Sequence, residues 1–397
     1  MKEVVIVDGV RTPFGAFGGA LRSLSAQDLG VVVTRALLER TKLDPATIDE
    51  IIWGAVGQSS DAPNIARVIA LRADIPLHVT NYTVARNCAS GMQSIVNAFQ
   101  AIRMGEGHTY LAGGTESMSN LPYINRDMRW GRRIQHSTFI DSLWEGLTDP
   151  VANQMMGMTA ENLAVEFGIT REAQDRFTVE SHKRAFKATR MGKLKEEITP
   201  VTIAKRVAGK EVASETVSED EGINVALTAQ TLAMYPTIFK KENGTVTPGN
   251  ACGTNDGASL CLVMSRERAD ALGYKPLCRI LAYAWAGCDP SRMGIGPALA
   301  APIALERAGV SKADVDLWEI NEAFAAQILS VEKQLELDHT NVNVNGGALA
   351  LGHPVGTSGN RILLTLAKEL QRQNKRIGVA ALCIGGGQGG AVVIERL

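Results

Sequence analysis

The 397-residue chain predicts an α/β protein made of two duplicated halves around an inserted segment, and three observations carry that expectation. Apolar β-like runs alternate with helical patterns, as in EIIWGAVG at 50–57 and LWEINEAF at 317–324, which implies mostly parallel sheets covered on both faces. Words recur in the same order along the chain. LERTKLDPATID at 38–49 returns as LERAGVSKADVD at 305–316, and both copies end a helical pattern before a polar turn and a β-like segment. Ser90-Gly91 before an apolar helical stretch is answered by Ser358-Gly359 before ILLTLAKEL, and LAGGTES by ALCIGGG. So long a period means duplicated domains, since solenoid repeats are far shorter.

The third observation is a change of texture between the copies. Residues 121–245 hold the long polar stretches RDMRWGRRIQHSTF and KRVAGKEVASETVSEDEG and a helical run from Thr159 to Met191. The expected domains are therefore 1–120 with 246–271, an inserted lid at 121–245, and 272–397. Clefts form where domains meet, so a lid over two lobes is a place for a bulky ligand. Lys205, Arg206 and Lys210 in the lid read by default as a solvated face, with a phosphate site as the lesser alternative.

Composition excludes several classes. With 41 basic and 42 acidic residues, net charge −1, no global field recruits nucleic acid or an anionic membrane. Six cysteines are too sparse for a disulfide framework, and Cys252, Cys261, Cys278 and Cys288 match no zinc spacing. The start, MKEVVIVDGVRTPFG, lacks the apolar core and cleavage site of a secretory leader, so a reducing, cytoplasmic setting is expected. The most apolar run, VAALCIGGGQGGAVVIE, is split by glycines and Gln388 and reads as two buried strands joined by a turn, not as a membrane span.

Three stretches carry chemistry. In VARNCASGMQ at 84–93, Cys88 precedes a helical pattern, where unpaired N–H groups and the positive end of the dipole are expected to lower a thiol pKa. The small residues Ala89, Ser90 and Gly91 leave room for a carbonyl oxygen near backbone donors. Taken alone, Cys88 also fits a small buried hydrophobe. His353 sits among seven glycines and alanines between Gly346 and Gly359, with space for a substrate beside an imidazole able to pair with a thiolate or move a proton. A buried histidine bonded to a carbonyl fits the same pattern. Cys383 ends an apolar strand and runs straight into Gly385-Gly386-Gly387, another turn open to close approach. Two cysteines and a histidine are also three-quarters of a zinc site, but no pair has ligand spacing and a fourth ligand is missing.

NCASGMQS, GGTESMS, GNACGTNDG, NEAFAAQ, NVNGGALALGHPVGTSG and CIGGGQGG together resemble the thiolase family over essentially the whole chain. The resemblance implies two βαβαβαββ halves stacked as five αβαβα layers with an inserted loop domain. It implies that Cys88 is the acylated nucleophile and that His353 activates it. His353 with a water held by Asn321 would form one oxyanion hole, and the N–H groups of Cys88 and Gly385 the other. Cys383 would be the acid/base at the substrate α-carbon or the coenzyme A thiol. Thr231, Phe239, Cys252, Met293 and Phe324 would contact coenzyme A, which is a substrate here; no permanently bound cofactor and no metal are expected. The expected partners are acyl-CoA substrates and further copies of the chain, as homodimer or homotetramer, with no nucleic acid and no membrane.

Two positions depart from common family patterns. Cys252 stands where serine is common, at the pantetheine arm, and Met155 in NQMMGMTAEN stands where many short-chain enzymes have histidine. Met155 leans toward the fatty-acid-degrading branch, whereas CIGGGQGGA leans toward acetyl-CoA C-acetyltransferase, the activity expected first. A ketosynthase lacks the second cysteine, and a non-catalytic acyl-CoA-binding relative would have lost Cys88, His353 or Cys383.

Overall fold

The computed structural model describes residues 2–207 and 210–397, and the side chains of 205–212 lie outside that description. In the first half the strands are β1 (Val4–Arg11), β2 (Glu50–Gly54), β3 (Thr80–Val84), β4 (Thr109–Ser117) and β5 (Asn255–Ser265), with helices α1 (Ala26–Thr41), α2 (Ile65–Arg72) and α3 (Ser90–Met104). The inserted segment carries α4 (Met156–Phe167), α5 (Arg171–Arg190) and a hairpin of Val201–Val207 with Lys210–Val217. The second half adds β6 (Cys278–Gly287), α6 (Gly296–Ala308), β7 (Leu317–Ile320), α7 (Ala325–Leu335), α8 (Val355–Gln373), β8 (Ile377–Ile384) and β9 (Gln388–Arg396).

The duplication is visible in strand order. The first half runs β3-β2-β4-β5-β1, and the second runs β7-β8-β9-β6 with Val342 bridging Trp318 of β7 where the first half has β3. The two sheets meet where Val5 and Ile6 of β1 pair with Arg279 and Cys278 of β6. Both LER copies close the last turn of an outer helix, which ends on a left-handed residue, Lys42 or Gly309, before a 3₁₀ turn and a strand.

Strand direction differs from the expectation of mostly parallel sheets. Among the described strands of the sheet, β3-β2-β4 and β7-β8 alone are parallel neighbours. β5 returns from the insertion antiparallel to β4 and β1, and β8 turns through Gly385–Gly387 into β9 as a hairpin. Alternation of helix and strand fixes direction only where a single helix makes the crossover; β8 and β9 are joined by a turn, and β4 and β5 by the whole insertion. The helical run of the insertion is likewise broken, because Gly168 is left-handed (φ 63°) and Thr170 caps a new helix.

Side-chain alternation builds five layers. Val4 and Ile6 face inward and Val5 and Val7 outward; Cys261 and Val263 face inward and Leu260 and Leu262 outward. Leu29, Val33 and Leu37 of α1 with Ile65 and Ile69 of α2 cover the outer face of the first sheet. Ala301, Ala304 and Leu305 of α6 with Ile328 and Val331 of α7 cover that of the second. Between the sheets α3 and α8 pack together through Met92, Ile95, Ile362 and Leu366. Their approach requires glycine: a Cβ on Gly91 would lie 2.9 Å from the N of Asn360, and one on Gly359 would lie 2.6 Å from the N of Met92. These reciprocal contacts bring the starts of the two helices, and the loops before them, to one place.

Candidate active site

Cys88 is half-buried two residues ahead of α3, on a loop bent by Asn87, which holds a positive φ of 43°. Asn87 Nδ2 donates to the Gly385 carbonyl at 2.8 Å, joining this loop to the β8–β9 turn of the other half. The backbone N–H groups of Gly385 and of Cys88 itself draw the Cys88 pKa down, but burial outweighs them and pushes the thiol up, with Glu116 adding to the rise. The expected depression by the helix start is thus reversed: α3 begins at Ser90, and desolvation is the larger effect. The resting sulfur is a protonated thiol that needs a base.

His353 lies two residues ahead of α8 and is buried, with its N–H on Asn255 Oδ1 at 2.9 Å. Its Nδ1 is 2.6 Å from Ser358 Oγ, whose own hydroxyl donates to the Pro354 carbonyl at 3.1 Å. That arrangement assigns the proton to Nδ1 and leaves Nε2 as acceptor. Burial, with Arg361 adding to it, pushes the imidazole down to about 3, so it is neutral at physiological pH. Asn321, placed at the end of β7 by its N–H on the Ala381 carbonyl (3.0 Å), brings Nδ2 to 3.4 Å from His353 Nε2. Its buried Oδ1 has no hydrogen-bond partner among the described residues.

Cys383 is fully buried at the end of β8, and burial followed by the neighbouring Cys88 and Cys252 thiols raises its pKa. Met293 and Phe324 share its apolar cluster, with Phe239 and Cys252 packed against it; Phe239 and Phe324 meet edge to face at 6.4 Å. Cys252 N–H donates to the Ala323 carbonyl at 3.0 Å, and burial pushes its thiol up to about 12. Thr231 is not brought into this group. Its side chain and N–H close a capping box with Thr228 on the short helix Ala229–Ala233. Met155 pairs with Thr148 in the lid, while its neighbour Met156 faces the site. Lys205, Arg206 and Lys210 lie outside the described side chains.

A cavity of about 470 Å³ opens at Cys88 and Gly385, walled by Val56, Met118, Met156 and Val355 and by Leu121, Ile124, Leu143 and Leu147 of the inserted segment. Sequence reasoning missed Asn87, Asn255 and Glu116 as supports, and read Ser358 only as part of the repeat. Glu116 alone had a readable signal, a charge inside the apolar strand LAGGTES. The arrangement can do acyl transfer: a thiol, a neutral base with a fixed tautomer, paired N–H donors, and a second thiol kept protonated.

Such a two-thiol, duplicated α/β enzyme is an acyltransferase. Residues 4–267 match the family described as Thiolase, N-terminal domain, and residues 274–396 match Thiolase, C-terminal domain, so the chain belongs to the thiolase family. It is 45% identical over 397 residues, all of both chains, to a Pseudomonas aeruginosa protein named acetyl-CoA acetyltransferase. The solved acetyl-CoA acetyltransferase of Bacillus anthracis superimposes with a TM-score of 0.97 at 46% identity, covering 100% of this chain and 99% of that one. Human mitochondrial 3-ketoacyl-CoA thiolase in complex with CoA superimposes with a TM-score of 0.94 at 44% identity, covering 100% and 98%.

Proposed function

We propose that this thiolase works through a Cys88 acyl-enzyme, reversibly cleaving 3-oxoacyl-CoA with coenzyme A and condensing two acetyl-CoA, with acetyl-CoA C-acetyltransferase activity foremost. The observation that carries the reading is that Cys88 and Gly385 open together onto one cavity, their loops joined by the Asn87 Nδ2 bond to the Gly385 carbonyl at 2.8 Å. His353 Nε2 takes the thiol proton as the sulfur attacks a thioester carbonyl, and coenzyme A leaves as its thiol. The carbonyl oxygen turns toward the two N–H groups. In condensation, Cys383, left as a thiolate once its proton has gone to the departing coenzyme A, removes the α-proton of a second acetyl-CoA, whose enolate oxygen lies toward His353 and a water on Asn321. The enolate carbon then attacks the acetyl group and releases Cys88, the proton held by His353 returns to Cys88 as its bond to the acetyl group breaks, and thiolysis runs the same steps backwards. Cys252, Phe239, Met293 and Phe324 are read as the pantetheine wall, and Thr231 as a contact farther along the coenzyme.

The 470 Å³ apolar cavity favours a second reading, a medium- or long-chain 3-ketoacyl-CoA thiolase of fatty-acid degradation, since acetyl alone leaves most of such a volume unused. In both readings residues 121–245 act as the CoA-binding lid on the halves 1–120 with 246–271 and 272–397. Exposed Tyr123, Trp130, Ile134, Phe139 and Trp144 support assembly of copies into a homodimer or homotetramer. A cytoplasmic setting is supported by six free cysteines; no helix among the described residues is long and apolar enough to cross a membrane. The test is peptide mapping after incubation with labelled acetyl-CoA, combined with thiolysis rates across 3-oxoacyl-CoA chains. Label on Cys383 or Cys252 in place of Cys88 overturns the assignment, and rates confined to the shortest substrate remove the second reading.

A further inference from the structure

Glu116 is fully buried near the end of β4, and the steps above give it no role. Its Oε2 accepts the N–H groups of Val56 (3.1 Å) and Gly356 (2.9 Å), and its Oε1 accepts that of Gly57 (2.9 Å). Gly356 stands in the first turn of α8, whose cap residue, Pro354, supplies no side-chain acceptor. The first N–H groups of a helix have no partner within it, and the dipole there favours negative charge. A carboxylate from the first half thus caps a helix of the second from outside. The seat is tight: a Cβ on Gly57 or Gly356 would lie 2.8 or 2.6 Å from a Glu116 oxygen.

What this cap holds still matters for the reaction. His353 is two residues ahead of α8, and its Nδ1 rests on Ser358 in the first turns of that helix. Val56, Gly57 and Val355 line the cavity that Cys88 opens into. We propose that Glu116 is a positioning residue for acyl transfer, a charged cap that fixes the start of α8, and with it His353, against the cavity wall facing Cys88. The proposal rests on the reading of Cys88 as nucleophile and His353 as base.

The charge of the cap is set by its surroundings. Burial pushes the Glu116 carboxyl up to about 7 against the pull of the three N–H groups, and Asp256 of β5 pushes it the same way. The Cys88 thiol ahead of α3 faces it as well, whereas the 56–57 loop and α8 present backbone N–H groups. A proton on Glu116 would place an O–H among converging donors, so the cap loosens as pH falls through neutrality.

The experiment compares wild type, Glu116→Gln and Glu116→Asp by acetyl incorporation at Cys88 and by steady-state thiolysis, across pH. Glu116→Gln is expected to lower kcat and the labelling rate about tenfold or more while KM for the acyl-CoA stays within about threefold. Wild type and Glu116→Asp are expected to lose kcat on an acid limb near neutrality that Glu116→Gln lacks. Glu116→Gln with wild-type kcat, or with the acid limb intact, overturns the proposal. So does a wild-type profile without that limb, a result that needs no folded Gln variant. A wild-type enzyme that takes no acetyl on Cys88 overturns the nucleophile assignment itself, and this inference with it.

Discussion

The side-chain amide of Asn87 donates to the carbonyl of Gly385 across the boundary between the halves, at 2.8 Å. It fixes the Gly385 turn, the proposed oxyanion donor, relative to Cys88, the proposed nucleophile. Asn87→Gly tolerates the positive φ but loses the bond, so it should cost only about 1 kcal/mol of stability. It should cost far more in rate, since a misplacement of about 1 Å at a reacting centre is worth up to about a hundredfold. Paired thermal unfolding and single-turnover acetylation of Asn87→Gly check this; full labelling speed would refute it.

Cys88 and Cys383 should separate cleanly. Cys383→Ala is expected to accept acetyl from acetyl-CoA onto Cys88, because that step makes no carbanion, while turnover falls about 10²–10⁴-fold. Cys88→Ala should lose both. Normal thiolysis by Cys383→Ala would make that residue a strand residue only and return the proton to His353.

Arg11 should be among the most costly residues to change. It is fully buried, with Nε on Glu197 at 2.7 Å and both Nη atoms on Asp220 at 2.6 and 2.9 Å, and so ties the insertion to β1. Arg11→Met would strand two carboxylates in the interior at a cost of about 3–5 kcal/mol. Urea unfolding of the variant measures it, and a loss under about 1 kcal/mol would show that water reaches the network.

His182 makes stability depend on pH. Burial holds it down at about 4 from its ordinary 6.5, and its Nδ1 accepts the N–H of Asn224 at 3.1 Å. The unfolded chain binds the proton first, so stability is full above pH 6.5 and is lost as pH falls toward 4. His182→Asn keeps an acceptor and does not titrate. Its unfolding free energy should fall less over that window, by about 3 kcal/mol, and parallel curves for the two proteins would refute the assignment.

Much of the molecule was readable because repetition and glycine punctuate the chain. The LER copies, the β8–β9 turn and the positions of Cys88, His353 and Cys383 beside glycines were all local signals. Strand direction was not, since β5 meets β4 and β1 only after the long insertion. Asn87, Ser358 and Glu116 act through partners chosen by the fold: Asn87 reaches Gly385, and Glu116 reaches Gly356. The Cys88 pKa was misjudged for a related reason, because a motif displays its helix dipole but not the desolvation imposed by the rest of the fold.

The reciprocal contacts of α3 and α8 carry a consequence for symmetry. Cys88 stands two residues before one helix and His353 two residues before its counterpart, so the proposed nucleophile and base occupy corresponding points of the two halves. A symmetric pair of identical halves would present the same residue twice at that place. Two copies within one chain can differ at that point, so a division of labour between the Cys88 thiol and the His353 imidazole is open to this chain and closed to a symmetric assembly of either half.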